Sequence, residues 1–301
     1  MVQVITDSTD DVIVNRFYTL IDNLVDRART GRSSVENSVA FDLEGVNLSR
    51  AGTVEVVSIA IDESAVDTVG EHGGDSNVSV FLVDFGVKST STKSKRDRRI
   101  EMVKKLLECE MVEKIIHDCR MDCDALFHLH GITLKTVHDT SCFHHMITFM
   151  ENVNLNDVLS SNGIDKNDER DKNIYKNNPN FWATRPLTQK MIAWASSDVD
   201  KLIVLAKRQK EQIPSARIGE AQELSRKNVT AASDMNIKRG LSLRGVHPGR
   251  FIGSRGSNIR SLQRRTGTLI YSDPEYGRNA WMVFYPDDSS LKSVMREMGH
   301  W

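Results

Sequence analysis

The sequence predicts a mixed α/β or α+β core followed by a smaller, basic module. Three observations carry that prediction. Apolar runs at 38–48, 53–62 and 78–86 follow one another as strands of a partly antiparallel sheet do. Segments with apolar residues at helical spacing, 11–30, 100–109, 122–131, 141–149 and 187–212, are distributed around them. Charge is unevenly placed: the whole chain carries a net charge of −1, yet residues 236–272 hold eight basic residues and no Asp or Glu.

The 301 residues suggest two domains. With 39% hydrophobic and 27% charged residues the composition is that of a folded chain rather than a disordered one. No apolar run approaches the ~20 residues of a membrane span. The start MVQVITDSTDD lacks the basic and apolar stretches of a signal peptide. Four cysteines are too few for a disulfide scaffold. The expectation is a cytoplasmic or nuclear protein with no membrane partner.

In chain order, the helix at 11–30 ends at Gly31, and the three strands follow, with a turn-rich loop at 67–77 between the last two. Residues 88–99 are polar. The helix 100–109 leads to a short strand, 114–118, and then to the helix 122–131 with Gly131 as its stop. Asp139 and Thr140 open the helix 141–149. Residues 151–180 are rich in Asn and Asp and read as irregular. Pro186 precedes one long helix, 187–212, and the polar residues 213–236 read as a linker.

The most informative run is Phe41-Asp42-Leu43-Glu44. Residues i and i+2 of a strand share a face, so Asp42 and Glu44 present adjacent carboxylates. A cation relieves such crowding, and hard oxygen ligands suit Mg²⁺ or Mn²⁺. Asp122 opens a helix, with Asp118 and Asp124 as rivals for a role there, and helix capping accounts for Asp122 equally well. Asp198 sits amid Val199, Leu202 and Ile203, either facing the site or facing solvent.

The order FDLEGVNL, KIIHDCRMDCDALFHLHGI, VHDTSCF and FWATRPLTQKMIAWASSDVDKLIVL resembles the DEDD superfamily of 3′–5′ exonucleases, in the ribonuclease D and Egalitarian-like branch, over about residues 36–210. The resemblance implies a ribonuclease H-like fold in which Asp42, Glu44, Asp122 and Asp198 act as catalytic residues that hold two metal ions. It places Asp139 in a role supporting the sheet. It also implies hydrolysis of single-stranded RNA or DNA from the 3′ end.

One position departs from the family. The ribonuclease D branch has a water-positioning tyrosine four residues before the last Asp; here Trp194 stands there. The histidine of the other branch, five residues before, is replaced by Ala193. An indole donates one N–H and accepts nothing, so it cannot orient or deprotonate water as a phenol does. The alternative is therefore a catalytically weak or inactive RNA-binding protein on the nuclease fold. Trp194 then either stacks a terminal base or packs the core.

Cys119, Cys123, Cys142, His117, His144 and His145 do not follow the common zinc spacings, and buried thiols are the better reading. No Gly-x-Ser-x-Gly elbow is present. In the basic module, Gly253-Ser254-Arg255-Gly256 leads into a helix, a place where backbone and helix N-terminus can meet phosphate, with Arg255 and Arg260 adding charge. Strands at 237–243, 268–272 and 279–285, a short helix at 248–252 and a final helix at 288–298 give a β-α-α-β-β-α order. With I-G-x-x-G-x-x-I, this resembles a KH domain of the kind that binds single-stranded RNA or DNA. The expected organisation is an exonuclease-like domain at 1–212, a linker at 213–236 and a KH-like domain at 237–301.

Overall fold

This computed structural model describes residues 1–31, 37–63, 78–86, 93–150, 153–171, 173–234, 240–244, 248–272 and 279–299. They form two compact units, Met1–Val229 and Thr230–Trp301. The loop expected at 67–77 and residues 88–92 lie outside the described residues.

In the first unit the strands are β1 (Val2–Ile5), β2 (Ser38–Glu44), β3 (Val56–Asp62), β4 (Val78–Asp84), β5 (Glu113–Ile116) and β6 (Val137–Asp139). They form one sheet in the order β1-β4-β3-β2-β5-β6. The β2–β3 and β3–β4 pairs are antiparallel; β1–β4, β2–β5 and β5–β6 are parallel. The helices are α1 (Asp11–Thr30), α2 (Lys93–Leu107), α3 (Arg120–His130), α4 (Thr140–Thr148), α5 (Leu155–Ser161), α6 (Asn173–Asn177), α7 (Gln189–Ser197), α8 (Leu202–Gln212) and α9 (Ser215–Asp234). This mixed sheet flanked by helices is the architecture of a ribonuclease H-like fold.

Every residue of β3 is buried, as is nearly all of β2, because both faces of the sheet's middle are covered. One face carries Ala40, Val56, Ala60, Val80, Leu82 and Ile115. Against it pack Leu155, Val158 and Leu159 of α5, Met191, Trp194 and Ala195 of α7, and Leu202, Ile203, Leu205 and Ala206 of α8. Helix α1 buries Phe17, Ile21, Leu24 and Ala28, a three-and-four spacing that makes one face. Asp10 caps its start, accepting from the Val12 amide at 2.7 Å, and Gly31 ends it in the left-handed conformation.

Four expectations are corrected. The helix placed at 100–109 begins at Lys93, taking in much of the polar stretch. Residues 187–212 are two helices, not one, interrupted at 198–201. The break needs no proline or glycine: the amides of Val199 and Leu202 bond to the carbonyls three residues back, tightening the coil. Part of the irregular stretch 151–180 is helical, in α5 and α6. The linker at 213–236 is mostly helix α9, which buries Ala221, Ser225 and Val229 at a spacing of four. The sequence reading also passed over β1 and β6. Among the described residues, no helix is long and apolar enough to cross a membrane.

The second unit contains β7 (Gly240–Arg244), α10 (Pro248–Ile252), a 3₁₀ turn at Ser254–Gly256, α11 (Ser257–Thr266), β8 (Leu269–Ser272), β9 (Ala280–Phe284) and α12 (Asp288–Glu297). Its antiparallel sheet runs β7-β9-β8. Phe251, Leu262, Ile270, Trp281, Val283 and Val294 form its core.

Candidate metal centre

Asp42 and Glu44 project from the face of β2 that Ala40 presents to α7 and α8. In register they lie opposite Ser58 and Val56 of β3. Asp198 caps the C-terminal end of α7 and is 1% exposed. The helix break sets this acid at the joint between two helices that pack on the sheet. One oxygen each from Asp42, Glu44 and Asp198 lie within 4.8 Å of one another. Three acids remote in sequence thus converge.

Asp122 occupies the first turn of α3, where the helix dipole favours a carboxylate. It stands outside the triplet of oxygens but close by: the charge of Asp42 raises its pKa, and its own charge raises that of Glu44. The backbone before it is fixed by Asp139. That carboxylate accepts from the amides of Asp118 (2.9 Å) and Cys119 (3.1 Å) and from the hydroxyl of Ser141 (2.7 Å). Burial pushes Asp139 up, but these donors and His117 outweigh it, and its pKa is lowered. The rivals of Asp122 are engaged elsewhere. Asp118 is bound twice by Arg120, at 2.7 and 2.9 Å. The fully buried Asp124 pairs with Arg50 at 2.6 Å.

Burial first, then mutual repulsion, drives the cluster toward its neutral form. Asp42 is raised to about 7, by burial and then by Asp198. Glu44 is raised well above its usual range by burial, Asp42 and Asp198. Asp122 is raised by burial and Asp42, and its Oδ1 is buried without a hydrogen-bond partner. Asp198 is also raised by burial, although Arg170 and Asn167 oppose this. Crowded hard oxygens with an orphaned acceptor beside them fit Mg²⁺ or Mn²⁺.

Sequence reasoning missed the two residues that hold Asp198. Asn167 Nδ2 donates to its Oδ1 at 2.8 Å, and Arg170 Nε to its Oδ2 at 3.0 Å. Both lie in the non-helical stretch between α5 and α6, where no periodicity marks an inward-pointing side chain. Arg185, just before the Pro186 lead-in, aims α7. It grips Asp84 at 2.7 Å, the Glu55 carbonyl at 2.9 Å and the Trp182 carbonyl at 2.7 Å.

Trp194 is not placed to stack a base. Its ring is 2% exposed and packs against Trp182 at 5.6 Å and Phe181 at 6.1 Å. All four cysteines are buried and unpaired with one another.

In the second unit, Gly253 has φ 72° and Gly256 φ 78°, a region other residues rarely enter. A Cβ on Gly253 would stand 2.5 Å from the Asn258 side chain, and one on Gly256 2.9 Å from the Arg260 guanidinium. The glycines therefore let side chains of the following helix, Asn258 and Arg260, approach the loop closely. Ser254 is exposed, and the loop opens directly into α11.

A mixed sheet with acids gathered at its helix-covered end defines a nuclease-type site of the DEDD superfamily. The family model described as 3′–5′ exonuclease matches residues 20–214, and the chain belongs to that family. The chain is 41% identical over 61 residues to the piRNA biogenesis protein EXD1 of Bombyx mori. That stretch is 20% of this chain and 19% of that protein, so about a fifth of the relative is spanned. Among solved structures, the catalytic core of RRP6 from Trypanosoma brucei is similar at a TM-score of 0.53 and 16% identity, over 88% of this chain and 65% of that one. Trypanosoma brucei RNase D is similar at a TM-score of 0.52 and 17% identity, over 77% and 72%. Identity this low shows shared fold.

Proposed function

We propose that this protein is a divalent-metal-dependent 3′–5′ exonuclease acting on single-stranded RNA or DNA. One observation carries the reading: oxygens of Asp42, Glu44 and Asp198 lie within 4.8 Å, in an environment where they ionise together only beside a cation. Asp42, Glu44 and Asp198, with Asp122 adjacent, would hold one or two Mg²⁺ or Mn²⁺ ions. Bound there, the metal supplies activation of water and charge stabilisation at a phosphodiester. Asn167 and Arg170 orient Asp198, Asp139 fixes the start of α3 and so Asp122, and α7 and α8 cover the site.

The second unit, 237–301 in this reading, serves as a KH-like module for nucleic acid. Its β-α-α-β-β-α order and the Gly253–Gly256 turn ahead of α11 support this. Ser254, Arg255 and Arg260 belong to the contacting surface on this reading.

A second reading rests on Trp194. A buried indole at the place of a phenol has no oxygen with which to orient water, which favours an RNA-binding protein of weak or no activity. Degradation of end-labelled single-stranded RNA with Mg²⁺ or Mn²⁺ separates the two. Metal-dependent loss of 3′ nucleotides by the wild type, abolished in Asp42→Ala, supports the enzyme. Equal inertness of both, with activity gained by Trp194→Tyr, supports the second reading.

A further inference from the structure

We infer that Arg170 is a substrate-positioning residue: anchored on Asp198 by its ε-nitrogen, it offers its open guanidinium fork to a phosphate of the nucleic-acid strand. The inference rests on the exonuclease reading and adds to it a phosphate contact beside the acidic cluster. Arg170 Nε is 3.0 Å from both Asp198 oxygens. Its two terminal nitrogens have no hydrogen-bond acceptor among the described residues, leaving four N–H donors uncommitted. The side chain is 28% exposed whereas Asp198 is 1% exposed, so the fork lies at the solvent side of the pair.

Electrostatics favours an anion there. Asp42, Glu44, Asp122 and Asp198 repel a polyanion approaching the site. Arg170 is a cation in direct contact with Asp198 and beside Asp42 and Glu44. A planar fork fixed at one edge presents two parallel N–H groups, the geometry that phosphate accepts in bidentate fashion. Lysine keeps the charge but neither the ε anchor nor the fork.

The test uses the full chain as wild type, Arg170→Lys, Arg170→Gln and Asp42→Asn. Calorimetry measures Mn²⁺ binding, and a short oligoadenylate serves both as the binding probe, with Ca²⁺ in place of Mg²⁺, and as the substrate. Expected for both Arg170 variants is an affinity for the oligoadenylate about tenfold weaker and a correspondingly higher KM, with Mn²⁺ binding retained because Asn167 still holds Asp198. Unchanged oligoadenylate affinity in Arg170→Gln overturns the inference while leaving the metal site standing. So does loss of Mn²⁺ binding in that variant, since Arg170 would then only be holding a ligand in place. Mn²⁺ binding that survives unaltered in Asp42→Asn, or is absent from the wild type, overturns the exonuclease reading itself and the inference with it.

Discussion

The acidic cluster of the first unit and the glycine turn of the second are built in opposite ways. The cluster is assembled from β2, α3 and the joint between α7 and α8, elements separated by up to 156 positions from Asp42 to Asp198. It is buried, crowded with carboxyl groups and unfavourable to ionise without a counter-charge. The turn is local: four consecutive residues, two of them at positive φ, followed at once by a helix. The comparison teaches that a cluster of like-charged groups is held by packing from several directions, whereas a turn is set by one stretch of backbone.

The sharpest way to break this comparison is to damage each site alone. Asp198→Asn is expected to lower metal-dependent degradation about a thousandfold while leaving the affinity for long single-stranded RNA within about twofold, measured by gel assay and filter binding. Ser254→Asp combined with Arg255→Asp is expected to do the reverse. RNA binding weakens about tenfold with a shallower salt dependence, and turnover of a short substrate is little changed.

The first site also rests on its aromatic packing. Trp182 is fully enclosed beside Trp194 and Phe181, so Trp182→Ala is expected to cost about 3–5 kcal/mol in urea unfolding of that unit. The pH dependence follows from the raised carboxyls. Asp42 at about 7, with Glu44, Asp122 and Asp198 also raised, means that the folded protein retains protons the unfolded chain releases. The stabilising effect of Asp42 is fully present below its ordinary pKa near 3.8 and is lost as pH rises to about 7; the others act in the same direction. Without metal, the melting temperature is therefore expected to fall as pH rises from about 4 to about 7, and millimolar Mn²⁺ to abolish that fall. The smallest effect is expected from Gly256→Ala. The strained φ and the 2.9 Å approach to Arg260, a flexible side chain, cost about 1–2 kcal/mol of second-unit stability, read by thermal melting.

What could be read in the sequence followed local signals. The β2, β3 and β4 runs are apolar and bounded by turn residues, and Asp42 with Glu44 declares its shared face by spacing alone. What could not be read depended on distant contacts. The break at 198–201 carries no Gly or Pro and follows from Asp198 being drawn toward Asn167 and Arg170. Helix α9 looked like a linker because its buried stripe, Ala221, Ser225 and Val229, is narrow and only partly apolar. β1 has four residues and pairs along only one side, with β4, so its pattern is short and half-exposed. Of the two roles open to Trp194, stacking a base or packing the core, only the folded core could decide, because its enclosure by Trp182 and Phe181 depends on distant contacts.

The joint between α7 and α8 also makes the site asymmetric toward changes in chain length. Each added residue in a helix turns everything beyond it by about 100°. An insertion within α7 would swing Asp198 off the sheet and out of phase with Asp42, whereas the same insertion beyond Lys201 would leave the acid where it is and displace only α8. A change in length before this aspartate thus costs the cluster, whereas one beyond Lys201 costs the packing of Leu202, Ile203, Leu205 and Ala206.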